Sequence, residues 1–260
     1  MSPNAPDRGL RAIHRIDHWL ATGAAPYDPL NPYIATNRLV RDWSTERNGE
    51  LASAQLRTID DQVIHLFAMV SEGVAAATAA FLEGDLLTAQ RLVAEDQLVD
   101  SLQSSIEDLV ERQLASGLPT DPEELRRLVS VLRIAPELER SGDLVEHIAL
   151  RTPQRLAERM TPRARGMVEA MGRIGAEMWR MAACAYADGD SGVAEQLRAR
   201  DDDLDDLHVQ LSAEVATIGT SLADAIELGL VARFFERLGD HAVNVARRID
   251  GLVRADAAPI

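Results

Sequence analysis

The sequence predicts an all-α protein built as two tandem three-helix bundles. From about Asn48 onward, apolar residues recur at helical spacing instead of alternating. Gly, Pro and Asp breaks divide that stretch into six long segments and leave no strand. Finally, the six segments are three played twice, with matching residues at matching places.

Residues 1–47 stand apart. Pro3, Pro6, Pro26, Pro29 and Pro32 punctuate them, and only residues 10–20 have the pattern of a short helix. They are expected to form a loosely ordered N-terminal extension. Two repeats should follow, over residues 48–160 and 161–254. The second helix of the first repeat illustrates the periodicity, with Leu92, Val99, Leu102, Ile106 and Leu109 on one stripe. Breaks fall at Gly84-Asp85, from Gly117 to Pro122, at Thr161-Pro162, at Gly189-Asp190 and around Gly219-Thr220. Asp121-Pro122-Glu123-Glu124 reads as a helix start: a capping side chain, a proline in the first turn, then acids near the positive end of the helix dipole.

The repeat can be read residue by residue. Phe81-Leu82-Glu83-Gly84-Asp85 matches Tyr186-Ala187-Asp188-Gly189-Asp190 at an offset of 105, and so do Asp96/Asp100 and Asp201/Asp205. Further on, Glu139-Arg140-Ser141-Gly142-Asp143 matches Glu236-Arg237-Leu238-Gly239-Asp240 at an offset of 97. The eight-residue difference is expected as a longer loop between the second and third helices of the first copy.

Composition narrows the function. Forty-two acidic residues against 27 basic ones give a net charge of −15. A chain this acidic, with no Lys/Arg cluster, does not grip nucleic acid and is repelled by anionic lipid. A single cysteine, Cys184, excludes an intrachain disulfide and a thiolate metal pair, and reads as core packing. No apolar run is expected to approach the ~18 residues of a membrane span, and no signal peptide is visible. The expected location is the cytoplasm.

What remains is the carboxylates. In both third helices Glu and Asp stand four apart, on one face and about 5–6 Å apart at Cβ, which is mildly unfavourable for like charges. The glycine between them costs a further ~1 kcal/mol relative to alanine. Two penalties at one point of both copies call for a compensating gain: a bound cation, or close helix approach at Gly142 and Gly239. The acids flank the apolar stripe, following Val99, Leu204, Leu138 and Phe235, so the second and third helices can aim two pairs at one patch. A single such pair is ordinarily a solvated face; recurrence at matched places points to a cation or a basic partner. Carboxylates without softer ligands suit Mg, Mn or Ca, and Fe when several bridge. Enzyme signatures are weaker. No Glu-x-x-His pair recurs, the six histidines lack zinc spacing, and neither a phosphate-binding glycine loop nor a nucleophile elbow is visible. His147 and His241 beside the acids read first as packing residues.

The doubled Glu-Arg-x-Gly-Asp helix, with Asp-x-x-[Val/Leu]-Asp-x-Leu in each second helix, resembles the PhoU family over about residues 48–252. The resemblance implies two three-helix bundles, a cytoplasmic homodimer and a regulator that is not an enzyme. It implies metal sites, one formed by Asp96, Asp100, Glu139 and Asp143 and the other by Asp201, Asp205, Glu236 and Asp240, holding divalent or iron-type ions (Fe, Mn, Mg or Zn). It also implies partners: the ATPase subunit of a phosphate ABC transporter and a phosphate-sensing histidine kinase, with starvation genes held off when phosphate is plentiful. A PhoU-fold metal-binding adaptor serving another transporter or regulator is the alternative reading, and a carboxylate metal-dependent enzyme the third. Pro136 and His147 depart from the pattern, so the second copy is expected to bind metal more tightly. The N-terminal extension has no counterpart in the family pattern.

Overall fold

The structure, a computed structural model, describes residues 45–117, 121–190, 192–217 and 221–256. Six α-helices run in order: α1 (Thr45–Glu83), α2 (Leu86–Ala115), α3 (Pro122–Ala149), α4 (Pro162–Asp188), α5 (Val193–Thr217) and α6 (Leu222–Asp256). Two short 3-10 turns, Thr152–Gln154 and Leu156–Arg159, join α3 to α4. No strand occurs among the described residues. Helix α1 begins at Thr45, three residues before the expected boundary. Residues 10–20 and the break at Gly219-Thr220 lie outside the described residues.

The breaks whose residues are described work as their chemistry suggests. The Asp85 carboxylate accepts from the amides of Leu87 and Thr88 and caps α2. Asp121 accepts from the amide of Glu123, with Pro122 opening α3. The Thr161 hydroxyl accepts from the amide of Ala164 ahead of α4. Gly189 closes α4 in the left-handed region, where a Cβ would be strained. Two expectations need correcting. The extra residues of the first copy mostly lengthen helices, α2 having 30 residues and α5 having 25. And one segment of α1, Ala54–Glu83, is long and apolar enough to cross a membrane by length and composition. Most of it is buried against other helices, as befits the central helix of a packed bundle.

The two bundles share one core. Helix α1 packs on α4 and α3 packs on α6 as extensively as helices pack within a bundle. Phe67 of α1 sits 6.1 Å from Trp179 and 5.7 Å from Tyr186 of α4, ring centre to ring centre. The Tyr186 hydroxyl donates to Asp60 at 2.8 Å, and Arg127 of α3 reaches the same carboxylate at 2.9 Å. Three helices from both copies thus meet at one half-buried ion pair.

Equivalent helices pack antiparallel across an approximate two-fold axis. Arg248 of α6 lies 3.0 Å from Glu137 of α3, while Arg151, just past α3, stacks its guanidinium 4.7 Å from the Phe234 ring of α6. Glu137 and Phe234 are repeat counterparts, as are Arg151 and Arg248. The same contact is therefore made twice, once as an ion pair and once as a cation–π pair.

Candidate metal centre

Each acidic cluster stands where the second and third helices of a copy approach closely at a motif glycine. Val99 and Leu204 are buried, as are Leu138 and Phe235. Rotation by one residue, about 100°, brings the following acid to the edge of the stripe. The motif glycines set the spacing. A Cβ on Gly142 would lie 2.9 Å from Val99 Cγ1. One on Gly239 would lie 2.4 Å from Asp201 Oδ1 and 2.9 Å from Leu204 Cδ1. Close approach therefore accounts for glycine at both positions, and it presses the acids of α2 against those of α3, and those of α5 against those of α6.

In the first copy, one carboxylate oxygen from each of Asp96, Asp100 and Asp143 lies within 4.8 Å of the others. Asp96 Oδ1 is buried and has no hydrogen-bond partner. Burial, then the charges of Glu146, Asp100, Asp143 and Glu139, push the Asp96 carboxyl up to about 6. Burial and the charges of Asp143 and Asp100 raise Glu139 as well, opposed by Arg140 and reinforced by Glu107. Pro136 leaves the helix unbroken, since α3 runs through it to Ala149.

In the second copy, burial, then the charges of Asp240, Asp205 and Glu236, push Asp201 up to about 7. Asp201 Oδ1 and Glu236 Oε2 are buried without hydrogen-bond partners. The other Glu236 oxygen is ion-paired with Arg233, one turn earlier on α6. Burial raises the Glu236 carboxyl, with Arg233 as the strongest opposing charge and His208 of α5 another.

All eight predicted carboxylates therefore fall into two groups, four in each copy. Sequence reasoning missed Glu107 and Glu146, which extend the first group, and Arg233, which with His208 offsets the second. Helical spacing held the signal: Glu146 follows Asp143 by three residues, Glu107 follows Asp100 by seven, and Arg233 precedes Glu236 by three. The histidines beside the motif do other things. The Ser141 hydroxyl donates to the Glu137 carbonyl at 2.7 Å, so His241 Nδ1, 3.1 Å away, donates to Ser141. Burial lowers the His241 pKa and favours the neutral ring. His147 stacks on Phe234, ring centres 5.3 Å apart. Cys184 is half-buried on α4, where burial raises its thiol.

The family model described as the PhoU domain matches residues 45–152 and 168–249, one match per three-helix unit. The chain belongs to the PhoU family. It is 29% identical over 198 residues to the phosphate-specific transport system accessory protein PhoU homolog 2 of Mycobacterium tuberculosis, covering 75% of this chain and 92% of that relative. With PhoU homolog 1 of the same organism it shares 31% identity over 176 residues, 66% of this chain and 79% of the relative. The crystal structure of PhoU from Pseudomonas aeruginosa superposes with a TM-score of 0.72 at 26% identity, covering 78% of this chain and 99% of the other. The family match begins at residue 45, where α1 begins, so residues 1–44 are outside the PhoU domain.

The residues present fit the metal ions implied by the PhoU resemblance. The donor sets are all oxygen, which suits hard cations. Three buried carboxylate oxygens lack a hydrogen bond, a costly state that a cation relieves.

Proposed function

We propose that this PhoU-family chain is a cytoplasmic accessory regulator of phosphate transport that works by binding other proteins, with no catalytic role of its own. Its partners on this reading are the ATPase subunit of a phosphate-specific ABC transporter and a phosphate-sensing histidine kinase. It holds the starvation response off when phosphate is plentiful, and it acts as a homodimer. The names of its relatives and the family match support phosphate transport as the setting. The observation that carries the metal part is the doubling of the carboxylate group at equivalent places, with unpartnered buried oxygens in both copies.

Asp96, Asp100, Glu139 and Asp143 would hold metal at one site, and Asp201, Asp205, Glu236 and Asp240 at the other. A bound ion supplies the positive charge that offsets carboxylate repulsion across each helix pair. The protein's share is placement: Gly142 and Gly239 let the helices close, and the buried stripe fixes the register of the acids. The two-fold seam between α3 and α6 makes the two acid faces parts of one rigid body, a form suited to holding partners in fixed relation.

Deleting the gene and restoring it tests this reading. Loss should raise expression from a phosphate-starvation promoter in high-phosphate medium, and the full chain should restore repression. The purified chain should retain the transporter ATPase on a column and elute at twice its monomer mass in light scattering. Normal repression in the deletion strain, with no retention of the ATPase, would end the proposal.

A further inference from the structure

The two acid groups differ in one respect that sequence identity at the ligand positions hides. In the second copy, Arg233 pairs with Glu236 through one oxygen while the other oxygen stays buried and unpartnered. The repeat counterpart of Arg233 is Pro136, which carries no charge and cannot reach Glu139. His208, a second positive neighbour of Glu236 when protonated, has Gln103 as its counterpart. Gln103 donates to Glu107 at 2.5 Å, and Glu107 adds negative charge beside Glu139. Glu146, next to Asp96, faces a place where the second copy has Val243. The first group is thus enlarged by acids and, among the described residues, has no ion-paired cation, Arg140 being paired with Glu137. The second carries its own.

We infer that Arg233 is a built-in counter-ion that sets the order of metal loading: divalent cations fill the Asp96/Asp100/Glu139/Asp143 group first, and the second group only after Arg233 leaves Glu236. The inference rests on the metal reading above and adds an order to it. Three features argue for it. Three oxygens of the first group already converge within 4.8 Å, so little rearrangement precedes binding there. An ion entering the second group must break an existing ion pair, and its apparent affinity falls by the worth of that pair. Arg233 has somewhere to go, because its side chain is 51% exposed while that of Glu236 is 13% exposed. An arginine on the rim with a free path to water can swing aside without disturbing the core.

The test is calorimetric titration of the metal-stripped full chain with Mn2+ alone, read with bound manganese per chain. The parent should show a tight and a weak phase. Asp96→Asn with Asp143→Asn should abolish the tight phase, and Asp201→Asn with Asp240→Asn the weak one. Arg233→Gln should tighten the weak phase roughly two- to fivefold, the worth of a partly exposed ion pair, and leave the tight phase alone. Pro136→Arg should do the reverse, weakening the tight phase by planting the same cation beside Glu139. Circular dichroism checks that each variant remains helical, and Pro136→Arg keeps the test open should Arg233→Gln fold poorly. Two phases with Arg233→Gln unchanged from the parent, or the tight phase lost in the Asp201/Asp240 variant, would overturn the loading order and leave the metal reading intact. No bound manganese in the parent would overturn both.

Discussion

The two acid groups of this protein share a motif, a glycine and a place in the repeat, yet they solve the same electrostatic problem differently. In the first copy, Glu107 and Glu146 add to Asp96, Asp100, Glu139 and Asp143. In the second, Arg233 and His208 sit against Glu236. Both groups leave buried oxygens unpartnered, so neither is simply a solvated face. The difference lies in residues one or two helical turns away from the acids. The charge state of a repeated site is set by its surroundings as much as by its ligands, and two copies can diverge in affinity while the ligands stay the same.

Cation removal should have the largest effect. A site held at 100-fold excess over its Kd stabilises the fold by about 2.7 kcal/mol. At roughly 2–4 °C per kcal/mol for a chain of this size, chelator should lower the melting temperature by about 5–10 °C per site, and Mn2+ should restore it. Asn at Asp96 and Asp143 should remove more of that response than Asn at Asp201 and Asp240. Sodium chloride restoring the loss as well as Mn2+ does would reduce both groups to screened surface charge.

The motif glycines should separate next. In Gly142→Ala the new methyl meets a branched core side chain, Val99, at 2.9 Å. Overpacking of about 1–3 kcal/mol should outweigh the ~1 kcal/mol gained in helix propensity. In Gly239→Ala the first obstacle is the end of the Asp201 side chain at 2.4 Å, which can rotate away. Urea melts should therefore show the larger stability loss for Gly142→Ala. Mn2+ titration should show the larger affinity loss, at the second group, for Gly239→Ala. The opposite ranking would mean that Leu204, not Asp201, dominates the contact.

A smaller effect is expected from pH in the metal-free chain. Asp96 and Asp201 titrate near 6 and 7 when folded, above the ordinary 3.8, so the folded state holds those protons more tightly than the unfolded one. Their contribution to stability is full below about pH 3.8 and is lost as pH rises through 6 for Asp96 and 7 for Asp201. Melting temperature in chelator should therefore fall between about pH 4 and 7. Asp96→Asn should flatten the slope only below about pH 6, and Asp201→Asn should flatten it up to about pH 7. A slope unchanged in both variants would place the titration elsewhere. The smallest effect compares the two-fold-related contacts at the seam. Arg248→Ala leaves the buried Glu137 with Arg140 alone, at 3.2 Å, whereas Arg151→Ala removes a cation–π contact and its pairing with Glu227. Both should cost about 1 kcal/mol, with Arg248→Ala the larger because it leaves a buried charge with one partner in place of two.

The sequence by itself determined the helices, their breaks, the repeat and the eight carboxylates, because each rests on local spacing. Apolar residues at intervals of three and four make a helix stripe, Asp-Pro-Glu-Glu starts a helix, and acids four apart share a face wherever the helix goes. It also held the family motif, which needs only residue identity. What the tertiary structure alone decided depends on register between helices: that Asp96, Asp100 and Asp143 converge, that Arg233 occupies Glu236, and that equivalent helices pack across a two-fold seam into one core. The expectation that Pro136 disturbs the helix ahead of Glu139 rests on the same one-dimensional reading. A proline one turn before Glu139 reads as a break in one dimension. In the folded chain α3 continues through it, and what the position lacks is an arginine. Such outcomes turn on helices packed so closely that an added Cβ would meet Val99 at 2.9 Å on Gly142 and Asp201 at 2.4 Å on Gly239, a spacing set by packing of the whole bundle.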